Sequence, residues 1–107
     1  MKTYTGPNYQ YESVTIGGRA FMGCTNLEAV YLPWCERVNE NAFDGCQKLK
    51  DLYIGTTVNG GVSTVVNVAT TLANVERVHV PANMLDTYKA ATGWRNIPDK
   101  LVGDYVR

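Results

Sequence analysis

The chain has 107 residues, and ten Lys and Arg balance ten Asp and Glu, so its formal charge is zero. That length supports one domain with one small core. A neutral chain lacks the basic footprint of a nucleic-acid or anionic-membrane binder, and no apolar run approaches the roughly 20 residues of a spanning helix. With one His and two Ser, few groups are available for hydrolytic chemistry. Met1–Pro7 lacks the apolar stretch of a signal peptide.

In chain order, residues 1–12 match nothing downstream and are read as an N-terminal arm ahead of a domain over 13–107. From Ala20 a pattern begins that returns at Ala42. Ala20, Phe21, Gly23, Cys24, Leu27, Val30, Tyr31 and Leu32 recur as Ala42, Phe43, Gly45, Cys46, Leu49, Leu52, Tyr53 and Ile54, all at an offset of 22 with no gap. A third copy of the Leu-x-x-Val-x-Leu core follows as Val75, Val78 and Val80, 26 residues after the second. In each copy the last two apolar residues flank an outward one, the period of a strand. The Ala-Phe-x-Gly-Cys before them reads as one tight turn ending at Gly. One such unit cannot bury its apolar face alone, so neighbours must stack. Stacking places Val30, Leu52 and Val78 in one buried row and Leu32, Ile54 and Val80 in a second, with Phe21 and Phe43 on the opposite wall.

The repeat from Ile16 to Pro33, with its second copy from Val38 to Ile54, resembles the BspA-type leucine-rich repeat. The segment Val80-Pro81-Ala82-Asn83 through Trp94 resembles the end segment of such arrays. Together these cover about three-quarters of the chain. Asn39, where the family has Gly, and the long stretch after Ile54 depart from the pattern. The resemblance implies an α/β fold: a short leucine-rich-repeat solenoid with a small parallel sheet, short helical turns and a C-terminal capping helix. It implies binding, and no catalytic residues.

Gly55–Val75 carries no charged residue. Asn59-Gly60 is a hairpin signal, so residues 55–74 are read as an inserted β-hairpin arm with an irregular or short helical return. An uncharged β-prone edge invites pairing, and Val58, Val62, Val65 and Val66 are its candidate assembly residues, unless the fold covers them. Residues 81–107 form the C-terminal cap. Pro81 stops the strand, Asn83 caps a helix running to about Thr92, and Met84, Leu85, Tyr88 and Ala91 share its inner face. Gly93 suits a left-handed C-cap, which sets Trp94 against Tyr88.

Three cysteines cannot close a disulfide framework. Cys24 and Cys46 are expected as reduced, buried thiols stacked in the core, and Cys35 as a bystander in a connector. His79 lies between Val78 and Val80 and so points away from the core. Metal binding would have to recruit Glu76 or Asp51, and no ligand spacing supports it. No nucleophile motif or phosphate loop is present, so no enzyme, cofactor or metal is expected.

The informative constellation is positional. Tyr31, Tyr53 and His79 take the same outward place on successive strands, and Ala29, Asp51 and Arg77 form a second outward row. Rings flanked by opposite charges suit contact with a protein, through self-association or docking to a larger assembly, or with a surface glycan. The expected role is an accessory structural or adhesive protein of a phage virion, assembled in the host cytoplasm. The alternative is a bacterial cell-surface adhesion module, and a small enzyme is the remote one.

Overall fold

The alternation Val30-Tyr31-Leu32 and Leu52-Tyr53-Ile54 sends one side chain in and the next out, and each triplet forms a strand. A computed structural model describes all 107 residues. It contains seven strands: β1 (Thr3–Thr5), β2 (Val14–Ile16), β3 (Ala29–Val38), β4 (Asp51–Thr56), β5 (Thr64–Val65), β6 (Arg77–His79) and β7 (Leu101–Val102). Helices are few and short: α1 (Val68–Thr71), α2 (Leu85–Ala90) and three 3-10 turns. The chain is α/β with a small parallel sheet that does not close on itself. No helix is long and apolar enough to cross a membrane.

Every strand pairing is parallel. One ladder runs β1-β3-β4-β6-β7. A second is built on the far half of β3, where Val38 lies beside Ile16 of β2 and Val65 of β5. The ten-residue β3 serves both: residues up to Trp34 pair with β4, and Cys35–Val38 pair with β2 or β5. Between the ladders lies the core. Val30, Leu52, Val78 and Leu101 form one inward row. Leu32, Ile54 and Val80 are fully buried beside it.

The two copies of the repeat adopt one local conformation. Arg19 and Asn41 have φ of 65° and 64°, and Gly23 and Gly45 have 76° and 77°, each pair 22 residues apart. The turns lean on one another through Phe21 N–H to Ala42 O and Gly23 N–H to Asp44 O, both 2.8 Å. A Cβ on Gly45 would sit 3.3 Å from the Gly23 nitrogen, so positive φ and close approach both favour glycine there. Phe21 stacks on Phe43 at 5.7 Å and 16°, and Tyr4 closes the end edge-on to Phe21 at 5.0 Å.

Four expectations change. Residues 1–12 are not a free arm, because β1 pairs with β3 in the register Thr3–Ala29 to Thr5–Tyr31. Residues 55–74 are not a hairpin arm. Asn59-Gly60 does turn, with Gly60 N–H to Thr57 O at 2.9 Å. No returning strand follows: β4 pairs with β3 as far as Thr56 and with β6 over Asp51–Tyr53, and beyond that Gly55 O accepts from the Tyr88 hydroxyl. The chain continues instead to β5 and then to α1, the expected short helical return, burying Ser63, Val65, Val68, Thr71 and Leu72, which accounts for the missing charge. The third change is at the cap helix. Asn83 lies inside the 3-10 turn Ala82–Met84, with no side-chain cap bond. Extended Pro81 leads straight into that turn, so coiling begins ahead of Asn83, and the helix stops at Ala90 with Ala91 extended. Gly93 has a φ of 84° but opens the turn Trp94–Asn96, and Trp94 meets Tyr88 at 5.1 Å and 89°.

The fourth change concerns the thiols. All three are free. Cys46 is buried, and its Sγ–H donates to Phe21 O at 3.0 Å. Cys24 is only half-buried, because its turn has a counterpart turn on one side alone. Cys35 is no bystander. It is fully buried in β3, and burial pushes its thiol up to about 12.

Candidate functional site

The outer face of the first ladder gathers the sequence's candidate residues. Tyr31, Tyr53 and His79 are Cα partners on β3, β4 and β6, as are Ala29, Asp51 and Arg77. The rings stack face to face, Tyr31 on Tyr53 at 4.3 Å and 12° and Tyr53 on His79 at 4.1 Å and 10°. Parallel strands about 4.8 Å apart impose this stacking on identical outward positions. Its consequence is that both faces of Tyr53 and one face each of Tyr31 and His79 are spent on neighbouring rings, and the tyrosines offer edges and hydroxyl groups outward.

Asp51 is the electrostatic hub. Its Oδ1 accepts from Arg77 Nε at 2.8 Å and from His79 Nε2 at 2.8 Å, and its Oδ2 accepts from Arg77 Nη2 at 3.1 Å. The Arg77 hydrogen bond, and after it that of His79, holds the carboxyl below its ordinary range against an opposing effect of burial. His79 Nδ1 reaches Asp104 Oδ1 at 2.7 Å. Two ionised carboxylates only accept, so both contacts are satisfied together when both ring nitrogens carry hydrogen. The imidazole points away from the core, yet it is only 6% exposed.

The C-terminal tail is what buries it. After β7, Asp104 bonds His79, and Tyr105 N–H donates to Val80 O at 3.0 Å. The Tyr105 ring stands edge-on to Tyr53 at 5.4 Å and 64°, and burial pushes its phenol up to about 12. Arg107 then donates through Nη1 to Pro33 O and to Thr56 Oγ1, both at 2.9 Å. Its Cζ lies 3.5 Å above the centre of the Trp34 ring, a cation–π contact. Burial lowers the guanidinium pKa from its ordinary value. Trp34 is also held at its edge, its Nε1–H donating to Asn8 Oδ1 at 2.8 Å. Gly55 makes room for this arrangement. A methyl group there would overlap Pro33 O and the Arg107 guanidinium.

Asp104, Tyr105, Arg107, Trp34 and Gly55 were not found by sequence reasoning. The Arg107–Pro33 contact spans 74 residues, and no periodicity marks it. One signal was available: alternation along β4 makes Gly55 an outward position with no side chain, a sign of another group approaching closely. The candidate assembly residues are not brought together as an exposed edge. Val65 is buried, and Val58, Val62 and Val66 are half-buried. Around His79 stand carboxylates and phenols, and no group of three His, Cys, Asp or Glu is placed to hold a metal ion.

Comparison with family models, with curated proteins and with solved structures finds no match to this chain.

Proposed function

We propose that the chain is a non-enzymatic binding and structural module, a short BspA-like leucine-rich-repeat solenoid that docks to a larger protein assembly through its outer face. The observation carrying this reading is the outward register of Tyr31, Tyr53 and His79 beside Ala29, Asp51 and Arg77. It sets a strip of ring edges against an ion-paired strip, which is anchor chemistry for a protein surface. Stacking favours protein over glycan as the ligand: a sugar would seek open ring faces, and neighbouring rings cover both faces of Tyr53 and one face each of Tyr31 and His79. The assembly proposed is a phage particle, in which the chain would be an accessory decoration, fibre or tail component. That part rests on the likeness of such repeats to modules of viral structural proteins.

Mass spectrometry of purified particles tests the location. The face is tested by Tyr31→Ala with Tyr53→Ala, which should weaken incorporation by about 2 kcal/mol or more if these rings are anchors. A folded double variant that incorporates like the wild type would overturn the docking face.

A further inference from the structure

The outer face has one occupant in the structure, and it is the chain's own tail. Residues 104–107 touch that face at three points in a fixed order. An acid meets His79, an aromatic ring meets Tyr53, and a guanidinium meets Trp34 and Pro33. The last core residue is Leu101; beyond it, Val106 is 93% exposed. The tail is therefore attached to the surface by polar and ring contacts and could leave while the core stays packed. Arg107 has no carboxylate within ion-pairing distance. Its seat is a tryptophan face and two neutral oxygens, around a glycine whose bare backbone leaves the space. That seat recognises a planar cation by shape, which a lysine would not match.

We propose that this groove is a recognition site for an extended acid–aromatic–x–arginine segment, and that the tail of a second copy of the chain is its ligand in the assembled state. The proposal rests on the reading of the outer face as a docking face and names its partner. A second copy meets the complementarity by identity, since it carries the same Asp104, Tyr105 and Arg107. The tethered tail competes at an effective concentration in the millimolar range. The groove is therefore self-occupied in dilute solution, and tails exchange where copies are crowded side by side. Only residues after Val102 need to move, so β7 and the cap remain in place in each copy.

The test uses the full chain with Asp104→Ala and Arg107→Ala, which frees the groove, and a labelled peptide of residues 100–107 as the second copy's tail. Anisotropy should show the peptide binding the double variant at least about ten-fold more tightly than the wild type, whose own tail blocks the site. Replacing Arg by Lys, or Asp by Asn, in the peptide should weaken binding several-fold, and Trp34 fluorescence should report occupancy. Binding to neither protein, equal binding to both, or equal binding by a scrambled peptide would overturn the proposal. If the double variant does not fold, Arg107→Ala alone takes its place. Failure of both to fold would also overturn it, because a tail the fold cannot release cannot be exchanged. A failed peptide test with incorporation still dependent on Tyr31 and Tyr53 would reject tail exchange and leave the docking face standing.

Discussion

At Gly55 the absence of a side chain holds three elements together. Pro33 of β3, the glycine of β4 and Arg107 of the tail meet where one methyl group would not fit. Gly55→Ala should cost about 1–3 kcal/mol through overpacking, read by urea unfolding, and should release Arg107 with a change in Trp34 emission. Tyr88 is the second such residue. Its buried hydroxyl donates to Gly55 O at 2.7 Å and accepts from Ser63 N–H at 3.1 Å, while Trp94 Nε1–H donates to Ser63 O at 2.8 Å. Tyr88→Phe keeps the ring and strands two buried backbone groups, so a loss of about 1–3 kcal/mol is expected in the same unfolding experiment. Among the thiols, half-buried Cys24 should react first with a thiol reagent. Cys35, buried and pushed up to about 12, should react only on unfolding.

At the scale of elements, parallel pairing on both sides decides which segments can do what. β4 is paired with β3 as far as Thr56 and with β6 over Asp51–Tyr53, and Gly55 O is taken by the Tyr88 hydroxyl, so the turn at Asn59-Gly60 is followed by no returning strand even though its turn chemistry is sound. The far side of β6 is covered by residues 82–102. Tyr88, Trp94 and Leu101 are buried against it, and β7 pairs with β6. Ending the chain at Pro81 would strip this layer from Val78 and Val80. The 1–81 fragment should aggregate or unfold, which circular dichroism and gel filtration would detect. Across β4 and β6, the hydrogen bond from Arg77 holds Asp51 below its ordinary range. A carboxyl with a lowered folded pKa contributes stability that is present above its unfolded value of about 4 and lost as pH falls through the folded value. Arg77→Met removes the main cause of the lowering, so acid unfolding should begin at a higher pH than in the wild type.

At the scale of the whole molecule, the tail and the cap make alkaline pH the opposite stress. Tyr53, Tyr88 and Tyr105 are all raised, with burial the leading cause, and Tyr105 reaches about 12. A phenol whose folded pKa is raised stabilises the fold fully below its unfolded value of about 10, and that contribution is lost as pH rises toward the folded value. Stability should therefore fall between about pH 10 and 12, together with growth of phenolate absorbance. Tyr105→Phe should lessen the loss, because one ionisation that favours the unfolded chain is gone.

The amino-acid sequence by itself determined the repeat, its parallel strands and the outward register of Tyr31, Tyr53 and His79. These depend on nearest neighbours: a unit that returns after 22 residues and again after 26 places equivalent side chains one strand apart. Only the tertiary structure decided the rest. β1 lies outside the repeat yet completes the ladder beside β3. β5 was hidden because Val65 follows Val38 by 27 residues while Val38 follows Ile16 by 22, which breaks the period that would have revealed it. The tail crosses from one end of the chain to Pro33 and Trp34 near its first third. Such contacts depend on which edges and surfaces remain free once everything else has packed, and no local pattern of residues records that.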